Sequence, residues 1–172
     1  WEDHWAYKIP EEPKIPDNEV EWGSNGIDQF TLNKMIENGL RPSPEEEKVN
    51  LIRRISLDLI GLPPTNEQVL QFVESTSPNA YENMVDELLS SSGFGEHWAT
   101  MWLDLARYAD SRGYEKDAFR DIWKYRDWVI KAFNDDKPFT EFTIEQLAGD
   151  LLPDPTYDQL VATGFHRNTL NN

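Results

Sequence analysis

The 172-residue chain has no cysteine and three histidines. The missing thiols exclude disulfides, thiolate zinc sites, cysteine nucleophiles and covalent haem attachment within these residues. His4, His97 and His166 lie far apart in sequence, and no His-Glu-x-x-His occurs, so zinc-protease chemistry has no support. His97 stands beside Trp98 on a helical pattern and reads as a residue satisfied by a local hydrogen bond. There is no Gly-x-Gly-x-x-Gly and no phosphate loop. No apolar run approaches the ~18 residues that a membrane span requires, and no basic-then-apolar leader opens the chain. The expectation is a soluble piece of a longer protein, whose cleaved signal would have preceded Trp1.

Positive charge is scarce as well. Lys and Arg total 16 against 32 Asp and Glu, a formal net charge of −16. Such a surface repels phosphate backbones and anionic lipid, so nucleic acid and membrane are excluded as expected partners. Acidity suits cations, basic proteins or neutral ligands such as sugars, and it also serves solubility. What the chain does have is rings: seven Trp and 12% aromatic residues, a composition foreign to disorder. Its length fits one domain with a real core.

Pro10, Pro13 and Pro16 make residues 1–26 an extended strap, because each proline removes a donor and favours extended backbone. Trp1, Trp5, Tyr7 and Trp22 are expected to pin it. Helical grammar starts at Ile27 and stops at Asn38-Gly39. Ser43, Pro44 and Glu46 then read as N-cap, first helical position and capping box of a helix that ends at Gly61 and Pro63-Pro64. Thr65 with Gln68 makes a second box, and Ser77-Pro78 opens a helix closed by Gly93. Trp98, Met101, Trp102, Leu105 and Ala109 form one stripe, expected to be core. Further helices are predicted over 118–134, 140–151 and 156–163, and no region alternates as a strand would. The fold class expected is all-α, a single multi-helix domain over 27–172 behind a Pro-rich strap over 1–26.

The unusual stretch is Asp104 to Trp128, "DLARYADSRGYEKDAFRDIWKYRDW", with five aspartates, four arginines and six rings. Asp104 and Arg107, Trp123 and Arg126, and Asp117 and Arg120 are each three apart, which on an exposed helix supports ion pairs worth only about 0.2–0.5 kcal/mol. Arginine stacks on rings and grips carboxylates through two bonds, so a sharper reading places these groups where water is excluded. The ligand-binding candidates are Arg107, Asp110, Tyr114, Asp117, Arg120, Trp123 and Arg126. Arg107, Arg120 and Arg126 are expected to be buried and paired with aspartates, with Tyr114 and Trp123 beside them. Asp110, Asp117 and Asp121 miss EF-hand spacing, though a calcium site of another geometry stays open. No catalytic residue and no metal ligand is assigned.

At these residues the chain resembles a known family, the planctomycete-type cytochrome-c-associated domain of unknown function (family 1549). The likeness runs from "HWAYKIP" and "IDQF" through "PSPEEEKVNLIRRISLDLIGLPPT" and "YENMVDELLSSSGFGEHWATMWLDLARYADSRGYEKD". It continues through "WKYRDWVIKAFNDDKPFTEFTIEQLAGDLLP" to "ATGFHRNT". The resemblance implies a part of a large exported bacterial protein, periplasmic or extracellular, joined to cytochrome c-like or carbohydrate-binding modules. The family pattern continues into a Cys-x-x-Cys-His type segment that this chain lacks, so no haem or metal role carries over to these residues.

Two readings of function follow. The first is a binding or scaffolding module of a redox- or polysaccharide-linked protein. Its partners would be the remainder of the parent chain and a carbohydrate or a redox protein, with no cofactor in this segment. The alternative is the acidic, aromatic half of a hydrolase-type active site completed by downstream residues.

Overall fold

The computed structural model describes residues 4–18, 20, 22–113 and 117–168. The backbone divides into two compact units, Trp1–Glu45 and Glu46–Asn172. Among the described residues there are eight α-helices and no strand, with one isolated antiparallel bridge between Ser111 and Phe119. The fold is all-α.

In the first unit, a 3-10 turn spans Trp5–Tyr7 and α1 spans Gly26–Glu37. Asn25 and Asp28 make a reciprocal capping box that satisfies the first N–H groups of α1. At the other end Gly39, with φ +68, lets its own N–H and that of Leu40 reach the carbonyls of Ile36 and Met35. Leu32 is the buried anchor of α1. Trp22 is half-buried, whereas Trp5 and Tyr7 are exposed. Trp1 lies outside the described residues.

The second unit begins with α2, Lys48–Ile60, capped at Glu47 without a side-chain bond. The expected start at Ser43-Pro44 does not form. Glu46 accepts from the Glu47 N–H and the Asn50 side chain, so the acid works beside the new helix start and not back toward Ser43. After α2, Ser56 Oγ donates to Leu62 O at 2.7 Å and holds the chain as it turns at Gly61. Then α3, Asn66–Glu74, starts with the Thr65–Gln68 box as expected. Lys48 Nζ reaches across to the carbonyl of Ser75 at 2.8 Å, satisfying the C-terminal end of α3.

The next helix, α4, spans Ala80–Leu89 and is capped at Asn79, two residues later than a Ser77 cap. Ser77 Oγ accepts from Asn79 N, so the serine builds the preceding turn. Gly93 does not end α4: Ser91 caps α5, Ser92–Leu105, and Gly93 falls in its first turn. Ile52, Phe72, Met84 and Leu88 bury together where α2, α3 and α4 meet. Each such side chain contributes about 1.5–3 kcal/mol on burial.

The larger core joins α5 to α6, Trp123–Asn134, α7, Phe139–Ala148, and α8, Tyr157–Ala162. Its centre is Ala99, Leu103, Ala106, Tyr125, Trp128, Val129, Ala132 and Phe142. The stripe expected on α5 is therefore rotated. Trp98, Trp102 and Ala109 are half-buried, but Met101 and Leu105 face solvent. The small residues Ala99 and Ala106 take the core positions because α6 supplies the large rings there.

The helix predicted from residue 118 starts only at Trp123. Residues 109–113 and 117–120 instead lie against each other, with Arg112 N donating to Ala118 O and Arg120 N to Asp110 O.

Candidate functional site

Where α5 ends, the chain adopts a Schellman geometry: Tyr108 N donates to Leu103 O and Arg107 N to Asp104 O. The residue at the left-handed position is Arg107, φ +57, where glycine is usual. Arg107 is exposed, which overturns the expectation of a buried, paired guanidinium. Its backbone job is to stop the helix, and that turns the side chain outward.

Arg120 is half-buried, and its fork bridges two carbonyl oxygens, Arg167 O at 2.9 Å and Ala109 O at 3.2 Å. It thereby laces the fold-back segment to the chain after α8. The i,i+3 pairing of Asp117 with Arg120 required a helix there, and none forms. Asp117 instead accepts from the Gly113 N–H at 2.8 Å. Ser111 foremost, then Gly113, holds its carboxyl below the ordinary range through hydrogen bonds.

Arg126 pairs with its neighbour Asp127 at 2.9 Å, half-exposed. Tyr108 donates to Asp110 at 2.6 Å, and burial first, then that bond, pushes its phenol up to about 12. Asp110 and Tyr108 also contribute to the field at Arg126, so the candidates Asp110 and Arg126 share one neighbourhood with Tyr108. Tyr114 lies outside the described residues. Among the described residues, no three His, Asp or Glu side chains are placed to hold a metal ion.

Trp123, 43% exposed, faces a different feature. With Lys124, Asp127 and Lys131 of α6 and Tyr157 and Asp158 of α8 it lines an open groove of about 270 Å³, floored by Trp128. Tyr157 is 61% exposed. Lys124 Nζ sits 5.8 Å from the Trp123 ring and 5.4 Å from the Tyr157 ring, and donates to Tyr157 Oη at 2.7 Å. That hydroxyl, above all, holds the Lys124 ammonium above its ordinary range. Lys131 is shared between Asp135 at 2.9 Å and Asp158 at 3.6 Å. A smaller adjoining space of about 170 Å³ shares Trp128, Lys131 and Asp158 and reaches the Lys137–Glu145 pair.

Within the larger core, Gln146 Oε1 accepts from Tyr125 Oη at 2.6 Å and Trp102 Nε1 at 2.9 Å. Its Nε2 donates to Phe142 O. Burial drives the Tyr125 phenol up to about 12. The network fixes the rotamers of the rings around it, and so the position of α6 relative to α7.

Sequence reading found Trp123 and counted Asp127 among the aspartates of that stretch, but missed Tyr157 and Asp158, because α8 is 34 residues downstream and only the fold brings it to α6. The exposed rings Tyr157 and Trp123 each sit beside an acid or base in sequence, which is the one signal they carried.

A family profile described as PSCyt2, protein of unknown function (DUF1549), matches residues 26–172. No curated protein and no solved structure matches the chain.

Proposed function

The chain belongs to this family of unknown function, and on that premise we propose that it is a non-catalytic binding module that holds a polysaccharide along the groove between α6 and α8. The observation that carries this reading is the pair of exposed rings, Trp123 and Tyr157, bracketing Lys124 beside Asp127 and Asp158. Sugar rings present apolar C–H faces edged with hydroxyls. Aromatic surfaces cover the first, and carboxylates and ammonium groups accept from and donate to the second. The continuation of the groove toward Lys137 and Glu145 suits a chain more than a single sugar. In the exported parent, this module would keep neighbouring modules on a polymer. Between the polysaccharide-linked and redox-linked settings, the groove supports the first.

The test is affinity electrophoresis of the domain through gels containing soluble neutral polysaccharides, with isothermal titration of oligosaccharides from any that retard it. Retardation that is lost in Trp123→Ala/Tyr157→Ala, with an unchanged thermal melt, supports the reading. Equal mobility of the wild type in every gel, or full retardation of the double variant, sinks it. Release of reducing ends during incubation would replace the binding role with a hydrolytic one.

A further inference from the structure

A second cleft, of about 410 Å³, opens between α5 and the α6–α7 turn, lined by Phe94, Trp98, Trp102, Phe133, Phe139 and Phe142 with Asp136 and Lys137 at its edge. Its volume lies in the range of small-molecule sites. The chemistry of its lining is one-sided. Three lining side chains carry hydrogen-bond donors, and neither of the two indoles among them offers its N–H to a ligand. Trp102 Nε1 is committed to Gln146 and Tyr125. Lys137 Nζ is ion-paired with Glu145 at 3.0 Å, which offsets its charge at the cleft edge. Trp98 Nε1 is shut away from solvent without a partner among the described residues, so its N–H does not face the open space.

What dominates the open space is the electron-rich faces of aromatic rings with the Asp136 carboxylate at the edge, in a protein of net charge −16. Asp136 is exposed, and its side chain makes no ion pair or hydrogen bond with the described residues. It also occupies the left-handed position, φ +47, of the Schellman turn that ends α6, where its N–H reaches Phe133 O and the next N–H reaches Ala132 O. Glycine would serve that backbone better. An acid kept there, at the edge of a ring-lined cleft whose indole donors are turned away, matches a ligand that brings positive charge and apolar bulk together.

We infer that this cleft binds an organic cation of the alkylammonium class, with the cationic head against the rings and Asp136 as its counter-charge. Rings attract such cations through their quadrupoles, and quaternary ammonium groups need no hydrogen-bond acceptor geometry. The cleft shares no lining residue with the groove of Trp123 and Tyr157 and meets only its continuation, at Ala132 and Lys137, so its test is independent of the polysaccharide reading.

The experiment titrates the domain with benzyltrimethylammonium and with its uncharged carbon isostere, neopentylbenzene, following the assigned indole signals of Trp98 and Trp102 by NMR. Saturable shifts with the cation, and affinity for the isostere weaker by about tenfold or more, are expected. Asp136→Gly should raise the melting temperature, because it removes the left-handed strain, and yet weaken the cation severalfold. Asp136→Asn should weaken it similarly without that gain in stability. Equal affinity for the isostere would show a merely apolar cleft and overturn the proposal. So would an absence of saturable shifts, or cation affinity unchanged in both Asp136 variants.

Discussion

The backbone N–H of Gly95 donates to Asn134 Oδ1 at 2.8 Å, tying the first turn of α5 to the last residue of α6. The approach leaves no room for a side chain, since a Cβ on Gly95 would collide with Ile130 O and the Asn134 amide. Gly95→Ala should therefore destabilise the domain, although alanine is the better helix former by about 0.8–1.0 kcal/mol. Overpacking typically costs about 1–3 kcal/mol, and here it meets backbone that cannot swing aside. Thermal unfolding should show the loss as a fall of several degrees; an unchanged or raised melting temperature would refute the close packing of these helices.

Arg107 and Arg120 should part company when each is replaced. Arg120→Ala removes charge-assisted bonds to Ala109 O and Arg167 O, and bonds of this kind contribute about 1.5–3 kcal/mol each. Arg120→Lys should rescue little, because a single ammonium cannot span both carbonyls as a planar fork does. Arg107→Gly should instead stabilise by about 0.5–1 kcal/mol, the relief of left-handed strain exceeding the added chain entropy. Urea midpoints of the three variants decide this, and a destabilised Arg107→Gly contradicts it.

Alkaline stability is set by Tyr108 and Tyr125, whose phenols are both pushed up to about 12. A raised folded value means that the folded state holds the proton more tightly than the unfolded chain, whose tyrosines ionise near 10. Their contribution is complete below about pH 10 and drains away as the pH rises toward 12. Tyrosinate absorbance should show two phenols, those of Tyr108 and Tyr125, ionising late until the domain unfolds. Tyr125→Phe should remove one lagging phenol. Six tyrosines titrating together in the folded protein would contradict both buried environments.

Asp117 provides the acid-side counterpart. Its folded value is depressed by Ser111 and the Gly113 N–H, so its contribution is present above the unfolded value and lost as the pH falls through the folded one. Carboxyl carbon shifts should place its midpoint below that of an ordinary aspartate. Ser111→Ala should move the midpoint back up, and an unmoved midpoint would show that the serine is not its main support.

Much of the fold was legible wherever a signal was local. Thr65 and Gln68 cap α3 because two side chains three residues apart satisfy each other's backbone, and nothing distant interferes. Thr156 and Gln159 carry the same grammar at α8. Ser43 with Glu46 looked alike but failed: the Glu46 carboxylate accepts from the Glu47 N–H and the Asn50 side chain and not from Ser43, and the helix starts at Lys48. At 118–122 the residues suit a helix, yet backbone bonds to Asp110 and Arg112 draw them into an extended fold-back. The sites were less legible. The groove pairs α6 with α8 and the ring-lined cleft gathers residues from 94 to 142, and no periodicity along the chain encodes such meetings. Of the seven sequence candidates, Trp123 lines the groove, while Arg107, Asp110, Asp117, Arg120 and Arg126 shape or border the fold-back before α6.

The two cores also differ in how far along the chain their members come from. Ile52, Phe72, Met84 and Leu88 meet through three consecutive helices joined by short turns. Trp102 and Gln146 must find each other across 44 positions before their buried bond forms. Closing short loops costs less entropy, and chains rich in local contacts reach their transition states sooner. The α2–α4 layer is thus the natural early nucleus, and the Tyr125–Gln146–Trp102 network a late lock. Truncating Ile52 should slow refolding, whereas Gln146→Leu should leave refolding nearly as fast and hasten unfolding. The part of the molecule that carries both proposed sites is then the part that assembles last and opens first.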